Sequence, residues 1–454
     1  MVIRRQRVRL TGKKSSAIAA SNRDAVMNNK TEFQPFLIAL NLTMRCNLAC
    51  AHCYLDANTR DCGDSNELDT EEIKRVLTEI SQTNPACMVV MTGGEPLLRP
   101  DIYELCAHAS SLGLMTVVGT NGTLLTEKNV QRLLDAGVSG AGISVDGLTA
   151  EFHDAFRGWT GALQHTMDGI ENCRKLGLSF QIHTSIHQAN VGQVDEIMEW
   201  AHKQGAMVMN FFFLICTGRG EKVTDITPLQ YEQVLSHLLD VQDSYEGMMV
   251  RARCAPHFKR LAYQKDPESP LTKAQGYEGG GCLAGLHYCR VTPHGSVTVC
   301  PYIEESVGSL HEQSFADIWD NSETFQQLRN PQLTGKCGEC EFAILCGGCR
   351  ARPFAMEGDL FGEDRLCNYE PQGGEVIQPL SLDGMRPVSW NAEAEGRLSK
   401  LPFFLQKMIR GKVEQAARER NLDTVTLELM DELKEARFGS NMPASPFAKK
   451  KVSS

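Results

Sequence analysis

Cysteine placement limits the folding of this 454-residue chain more than any other feature, because most of its 17 cysteines occur in two groups. Three lie within eight residues, at Cys46, Cys50 and Cys53, and eight lie in a cysteine block, residues 282–367. We expect a cytoplasmic protein, and in a reducing compartment clustered cysteines serve as metal ligands or catalytic thiols. The other six show no ligand spacing and are interpreted as small buried hydrophobic residues: Cys62, Cys87, Cys106, Cys173, Cys216 and Cys254.

Length and composition exclude several classes of protein. The chain exceeds one typical domain, and its 42% hydrophobic content can build a real core. The net charge of −10 does not suggest a nucleic-acid binder. No apolar run reaches the roughly 18–20 residues that span a bilayer. The basic N-terminus lacks the apolar region of a secretory signal.

Residues 34–250 alternate β-rich apolar runs with amphipathic segments, and six βα units are visible. The predicted strands are Phe36–Thr43, Met88–Gly93, Met115–Thr120, Ala141–Val145, Phe180–Ile186 and Met207–Leu214. The predicted helices are Thr70–Thr83, Asp101–Leu112, Glu127–Ala136, Gly161–Leu176 and Val194–Gln204. This pattern predicts an α/β fold with a parallel sheet, a partial (β/α)6 barrel. Its active site is expected at the carboxyl ends of the strands.

Composition divides the rest of the chain. Residues 282–370 have too few apolar runs for a large core, so metal clusters would have to organise them. Residues 389–438 show helical periodicity and form a small helical module. We interpret the remaining segments as two linkers, 251–281 and 371–388, and two disordered tails, 1–33 and 439–454.

The spacing Cys46-x3-Cys50-x2-Cys53 suits an iron–sulfur cube. A [4Fe–4S] cluster has four irons, and thiolates usually fill all four positions. Three thiolates on one loop leave one iron without a protein ligand, and that iron can chelate a small molecule. A zinc knuckle completed by His52 is the structural alternative.

This loop resembles the CxxxCxxC signature of the radical S-adenosylmethionine (SAM) superfamily, and the resemblance extends over the first domain. His52 holds the position before the last cysteine, which implies a contact with the adenine. Gly93-Gly94-Glu95-Pro96 resembles the GGEP motif, which implies binding of the SAM amino group. Glycines allow close backbone approach, and Glu95 supplies a charged partner for an ammonium. A plain turn before the next helix is the alternative.

Other strand ends are similar to SAM-binding regions of the same superfamily. Gly119–Gly122 follows the third predicted strand, Ser144–Gly147 follows the fourth, and Phe213–Gly220 resembles the adenine-side segment. A turn alone would also explain the Asn121-Gly122 pair. The resemblance implies SAM contacts from three side chains: Asn121, Ser144 and Asp146.

The cysteine block holds eight cysteines, the number that two fully ligated clusters need. Two structural zinc sites are the alternative. The block resembles the SPASM domain of many radical SAM enzymes, although the Cys346–Cys349 spacing is one residue shorter. The resemblance implies a first auxiliary [4Fe–4S] cluster on Cys282, Cys289, Cys300 and Cys349. It implies a second on Cys337, Cys340, Cys346 and Cys367. Full ligation implies electron transfer rather than substrate binding.

Resemblances also suggest the reaction. Asn41–Tyr54 and Cys346–Tyr369 are similar to radical SAM enzymes of the alternative heme and heme-d1 pathways. The last helices resemble a C-terminal module of light-independent protochlorophyllide reductase. Together they imply an oxidoreductase that uses a 5′-deoxyadenosyl radical on a tetrapyrrole, with oxidative decarboxylation of a heme-type precursor as one outcome. An electron donor such as ferredoxin or flavodoxin is expected. A peptide-modifying maturase and a non-enzymatic iron–sulfur carrier are the alternatives.

Overall fold

One ten-stranded mixed sheet organises the computed structural model, which describes residues 33–57, 66–223, 225–272, 281–377, 388–399, 403–420 and 422–438. The spatial order is β10-β9-β8-β1-β2-β3-β4-β5-β6-β7. Strands β1 to β7 are parallel, β8 is parallel to β1, and β8, β9 and β10 pair antiparallel. The strands are β1 Leu37–Asn41, β2 Met88–Thr92, β3 Met115–Thr120, β4 Gly140–Ser144, β5 Phe180–Ile186, β6 Val208–Phe213, β7 Met249–Arg253, β8 Tyr288–Val291, β9 Ser296–Cys300 and β10 Ile303–Ser309.

Helices connect the parallel strands and cover the sheet. The first, α1 Thr70–Thr83, begins with a capping box in which Asp69 and Glu72 each accept from the other's backbone N–H. Its buried side chains recur at helical spacing, so one face packs on the core. The others are α2 Ile102–Ser111, α3 Glu127–Asp135, α4 Ala150–Arg157, α5 Ala162–Leu176, α6 Val194–Lys203, α7 Pro228–Val241, α8 His257–Lys265, α9 Phe315–Asn321, α10 Glu323–Arg329, α11 Gly335–Gly338 and α12 Ala351–Glu357.

The six predicted strands and five predicted helices of the first domain all occur, each within about two residues of its predicted bounds. Helix α4 was not predicted. The segment 251–281, expected as a linker, contains the end of β7 and all of α8 in its described part. The buried positions of α8 include His257 and Arg260. Because these residues are polar, the helix lacks the periodic pattern of apolar residues by which a helix is predicted.

The cysteine block was expected to be organised by metal clusters, but its apolar side chains also form part of the main hydrophobic core. Strand β8 pairs with β1 over four residues, from Leu37 opposite Tyr288 to Leu40 opposite Val291. Helix α9 packs against α1, where Phe315 N donates to Glu79 Oε2 at 2.8 Å. Buried apolar side chains from both parts form one continuous cluster. The block is therefore expected to unfold together with the sheet.

The C-terminal module has its own small core. It contains α13 Ala392–Leu398, α14 Phe403–Glu419, α15 Leu427–Phe438 and a parallel pair, β11 Ser389–Trp390 and β12 Thr424–Val425. Six buried residues form the core: Ala394, Val413, Ala417, Val425, Leu429 and Met430. Of the segments predicted to be tails or linkers, residues 1–32, 273–280, 378–387 and 439–454 lie outside the described residues, as does Cys62. None of the helices described is long and apolar enough to cross a membrane.

Trp319 offers a test of this shared core. Its side chain is 1% exposed and packs between Phe315 and Phe325. We expect Trp319→Ala to lower the free energy of unfolding by about 3–5 kcal/mol because it leaves a cavity. Guanidinium unfolding of the anaerobically reconstituted protein measures this. Leu229→Ala, at a 55% exposed side chain, is the control. A second transition confined to the cysteine block would contradict the prediction.

Candidate active site

The cysteine loop, residues 42–57, follows β1 at the carboxyl ends of the parallel strands. The side chains of Cys46 and Cys50 are buried, and that of Cys53 is partly exposed. The end of α4 holds the middle of the loop. Ala49 N donates to Arg157 O at 3.1 Å, and Ala51 N donates to Phe156 O at 2.8 Å. The three cysteines therefore sit on a backbone fixed by another element.

Arg219 holds the other side of the cysteine loop. Its Nε donates to Cys50 O at 2.8 Å, and its Nη1 donates to Ala57 O at 2.9 Å and Asp56 Oδ1 at 2.8 Å. Arg219 lies in the segment after β6 that was expected on the adenine side, but the sequence did not predict this clamp. Three elements, β1, α4 and the segment after β6, thus meet at the cysteines.

The GGEP turn after β2 is bonded to the start of the cysteine loop. Gly94 N donates to Thr43 O, and Glu95 N donates to Arg45 O, both at 2.8 Å. A Cβ on Gly94 would lie 2.1 Å from Arg45 O, and Gly93 has a φ of +144°. The two backbones therefore approach so closely that only glycine fits.

Glu95 is fully buried and accepts several hydrogen bonds. Its carboxylate accepts from Thr120 Oγ1 at 2.8 Å, Asn121 N at 2.9 Å and Leu97 N at 3.1 Å. Burial raises the pKa of Glu95 to about 7, although these hydrogen bonds oppose the shift. A carboxylate accepts about four hydrogen bonds, so capacity remains for an ammonium. Pro96 follows as the first residue of a 3-10 turn.

Asn121 connects the end of β3 to the cysteine loop. Its Nδ2 donates to Asn47 Oδ1 at 2.8 Å, and Asn47 Nδ2 donates to Thr123 Oγ1 at 2.8 Å. The side chain of Ser144, at the end of β4, is partly exposed. The structure thus places both residues at the edge of the sheet that carries the cysteines.

Asp146 and Arg157 form a buried ion pair beside Cys50. Arg157 Nη2 lies 2.6 Å from Asp146 Oδ2, and Arg157 Nη1 donates to Cys50 Sγ at 3.7 Å. Burial alone would raise the pKa of Asp146, but Arg157 and two nearby histidines hold it below its usual value. Asp146, which is predicted to contact SAM, also orients Arg157. Arg157 was not predicted from the sequence, because its helix, α4, was not predicted.

His52, which belongs to the cysteine loop, takes part in an aromatic stack. Its ring stacks on Phe156 at 4.6 Å, and Phe156 stacks on His187 at 4.5 Å. Burial lowers the pKa of His52 to about 4, so the ring is neutral near pH 7. His52 Nδ1 is buried and has no hydrogen-bond partner among the described residues. An orphaned buried nitrogen beside flat rings fits a nucleobase.

The donor sets consist of free cysteines, the ligands that iron–sulfur clusters take. Among the described residues, no three His, Cys, Asp or Glu side chains converge on a position that could hold one metal ion. Zinc needs four ligands within about 2.0–2.3 Å of a single centre. In a cube each thiolate binds its own iron, so the sulfurs stay farther apart.

Four cysteines of the block line one small cavity. They are the four expected to hold the second auxiliary cluster: Cys337, Cys340, Cys346 and Cys367. His257, Arg260 and Lys336 also line the cavity, and Lys336 Nζ donates to Cys367 O at 3.1 Å. Positive φ angles at Gly347 and Gly348 allow the tight turn after Cys346. The cavity thus combines four thiols with two cationic neighbours, Arg260 and Lys336.

The residues expected to hold the first auxiliary cluster do not all meet. Burial raises the pKa of Cys300 well above its usual value, and the nearby thiolates of Cys349 and Cys282 add to the shift. These three sulfurs are therefore neighbours. Cys289 is fully buried in the main core. Arg290 pairs with Thr298 of β9, so the side chain of Cys289 lies on the opposite face from Cys300. The structure does not bring Cys289 to the other three.

Family models match three parts of the chain. Residues 40–201 match the Radical SAM superfamily, and residues 282–341 match an iron–sulfur cluster-binding domain, SPASM. Residues 390–434 match the model described as Proto-chlorophyllide reductase 57 kD subunit. The first two matches cover the cysteine loop and the start of the cysteine block. They define the class, an enzyme that combines SAM with iron–sulfur clusters.

Relatives extend the match over nearly whole proteins. The chain is 40% identical over 343 residues to "AdoMet-dependent heme synthase" of Methanosarcina barkeri, covering 74% of this chain and 97% of the relative. The protein of the same name from Oleidesulfovibrio alaskensis is 39% identical, covering 74% and 88%. "Mycofactocin maturase MftC" of Mycobacterium tuberculosis is 33% identical, covering 73% and 83%.

Solved structures share the fold. Streptococcus suis SuiB bound to S-adenosylmethionine superposes with a TM-score of 0.61 at 17% identity, covering 77% of this chain and 81% of that one. The chain belongs to the radical SAM superfamily, in the group that carries a SPASM domain. It is a radical SAM oxidoreductase, and its cofactors are [4Fe–4S] clusters and SAM.

Gly94→Ala tests the contact between the GGEP turn and the cysteine loop. Its Cβ would collide with Arg45 O, so one of the two backbones must move. We expect SAM affinity to fall by at least about tenfold, equivalent to about 1.4 kcal/mol. Calorimetric titration of the anaerobically reconstituted protein with SAM measures this. Gly192→Ala, where a Cβ meets nothing within 4 Å, is the matched control. Equal SAM affinity in both variants would contradict the prediction.

Arg157→Gln tests the buried ion pair. Losing Arg157 leaves the Asp146 carboxylate buried without its cation, which typically costs about 3–5 kcal/mol of stability. Adding Asp146→Asn removes that charge, and we expect it to restore most of the loss. Guanidinium unfolding of the single and double variants measures both effects. The control is Lys203→Gln in an exposed pair with Glu199, where at most about 1 kcal/mol is expected. A single variant as stable as this control would refute the claim.

Proposed function

We propose that this enzyme modifies a tetrapyrrole, removing hydrogen and carbon dioxide from a carboxylated side chain of a heme-type precursor. The observation that carries the proposal is the match to two proteins named for heme synthesis, which covers 97% and 88% of their lengths. Their identities of 40% and 39% exceed the 33% identity to the peptide maturase. This reaction is an oxidation of the side chain, which agrees with the assignment of the protein as an oxidoreductase. The tetrapyrrole is the substrate, and SAM is consumed with it.

The residues around the cysteine loop receive the following roles in this proposal. Cys46, Cys50 and Cys53 hold the first cluster, which together with SAM supplies a 5′-deoxyadenosyl radical able to remove a substrate hydrogen atom. Glu95 accepts the SAM ammonium at its remaining acceptor position. His52 presents its unpaired Nδ1 to the adenine. Asn121 keeps the turn after β3 bonded to the cysteine loop.

One face of the sheet beside this site suits a carboxylated substrate. On β5, the ring of His183 packs against the backbone of Gly142, so it shares the face of β4 that bears Ser144. On the neighbouring strands Arg253 Nε donates to Asn210 Oδ1 at 3.0 Å, and Asn210 Nδ2 donates to Gln181 Oε1 at 2.8 Å. An arginine supported by amides is a suitable partner for a propionate carboxylate.

The electron balance explains the auxiliary cysteines. Removing a hydrogen atom and then carbon dioxide from a propionate leaves a vinyl group and releases one electron. That electron needs an acceptor near the substrate, and the cysteine block adjoins the sheet through β8. We assign the thiols of the loop and those of the block, apart from that of Cys289, to the clusters. We also propose an external donor such as ferredoxin or flavodoxin, and a cytoplasmic location, where reducing conditions keep thiols available.

Anaerobic turnover tests the proposal. The reduced enzyme is mixed with SAM and heme-type tetrapyrroles that carry propionate groups, and the products are analysed by mass spectrometry. We expect loss of carbon dioxide and formation of 5′-deoxyadenosine, both abolished when Cys46, Cys50 and Cys53 are replaced by alanine. The exposed-site variant Leu229→Ala is the matched control.

The same assay separates the alternatives. Formation of 5′-deoxyadenosine with a precursor peptide, and none above background with any tetrapyrrole, would favour a maturase related to the one for mycofactocin. A reduced, cluster-loaded protein that never cleaves SAM would instead indicate an iron–sulfur carrier. Either result would overturn the tetrapyrrole proposal.

A further inference from the structure

A fourth thiol lies beside Cys282, Cys300 and Cys349. It belongs to Cys254, which directly follows β7 and which the sequence analysis interpreted as a small buried hydrophobic residue. The thiols of Cys254, Cys349 and Cys282 lie close enough to Cys300 to act on it electrostatically. Cys254 thus comes from the far edge of the parallel sheet to join three cysteines of the block.

Hydrogen bonds fix the backbone of Cys254 next to that of Cys349. Arg352 Nη2 donates to Cys254 O at 2.7 Å, and Arg352 Nη1 donates to Asp364 Oδ2 at 2.9 Å. The same oxygen accepts from Cys349 N at 2.8 Å. The two cysteines are therefore joined by one arginine and one carboxylate, all of them buried except Cys254, which is partly buried.

The side chain of Cys254 also touches the segment that carries Cys300. Tyr302, two residues after Cys300, lies within reach of the Cys254 side chain. Cys254 has a φ of +56°, a left-handed conformation that few non-glycine residues adopt. Surrounding contacts, among them the hydrogen bond from Arg352 Nη2 to Cys254 O, hold it there.

Cys289 points the other way. Neighbouring side chains on a strand alternate between its two faces. Tyr288 and Arg290 lie on the face of β8 near Cys300, because Arg290 pairs with Thr298 of β9 and Arg290 Nη1 donates to Pro301 O at 2.9 Å. Cys289 therefore occupies the opposite face, where it is packed in the main core and acts on the buried thiol of Cys87.

We propose that Cys254, and not Cys289, completes a four-thiolate set with Cys282, Cys300 and Cys349 around the first auxiliary [4Fe–4S] cluster. This assignment does not depend on the identity of the substrate. Four thiolates leave no iron open, so this cluster accepts electrons and does not bind substrate through iron. Cys289 is a structural residue of the core.

Matched variants test the ligand assignment in a background where only auxiliary clusters remain. The background replaces Cys46, Cys50 and Cys53 with alanine, and either Cys254→Ala or Cys289→Ala is added. After anaerobic reconstitution, we expect Cys254→Ala to lose about half of the bound iron, or to show a three-iron cluster by electron paramagnetic resonance. Cys289→Ala is expected to keep the iron content and the resonance spectrum of the background. Full iron with an unchanged spectrum in Cys254→Ala, or cluster loss in Cys289→Ala, would overturn the proposal.

Two further measurements guard against misfolding of the alanine variant. Cys254→Ser keeps the size of the side chain and can bind iron through oxygen, so it is expected to retain iron with an altered resonance spectrum. In the unmodified full-length protein, alkylation followed by peptide mass mapping compares the loaded form with the form stripped by a chelator. We expect Cys254 to be protected in the loaded form and labelled in the stripped form. Labelling of Cys254 in the fully loaded protein would refute its role as a ligand.

Discussion

Strand β1 is the constraint on which the rest of the structure depends, because it is hydrogen-bonded along both edges. On one side it pairs with β2, whose end leads into the GGEP turn, and on the other with β8, which enters the cysteine block. The cysteine loop leaves the end of this same strand. The position of β1 therefore fixes the distance between the cysteine loop and the cysteine block through backbone hydrogen bonds. A flexible linker between two independent domains could not fix that distance in the same way.

Buried arginine–aspartate pairs accompany the cysteines on both sides of β1. Arg157 and Asp146 lie beside Cys50, and Arg352 and Asp364 lie beside Cys349. Burial raises the pKa of both cysteines, whereas the adjacent guanidinium lowers it. A thiolate must form before it can bind iron, so a buried cation offsets part of the cost of charging each thiol. The aspartate in turn keeps the cation in place, since a lone buried guanidinium would be costly.

The sequence alone predicted the parallel strands, the cysteine loop and the GGEP turn, because hydrophobic periodicity and close motif spacing are local signals. It did not predict α4, although Thr149 and Gly158 carry ordinary start and stop signals for a helix. That omission concealed Arg157, whose Nη1 donates to Cys50 Sγ at 3.7 Å. The contacts of Cys254 were also out of reach, because they join β7 to residues about one hundred positions later. Spacing patterns favour cysteines that are close in sequence, whereas a cluster collects thiols that are close in space.

The cysteine loop and the proposed auxiliary set differ in the number of chain segments that supply their thiols. A single loop supplies all three thiols at Cys46, Cys50 and Cys53, and the surrounding elements contribute arginines and backbone carbonyls rather than a further thiol among the described residues. The proposed auxiliary set instead draws on the end of β7, the approach to β8, the end of β9 and the segment before α12. Three thiolates from one loop leave an iron open to SAM, whereas segments that converge from several directions can close every coordination position. Chain topology thus separates the cluster that reacts from the clusters that carry electrons.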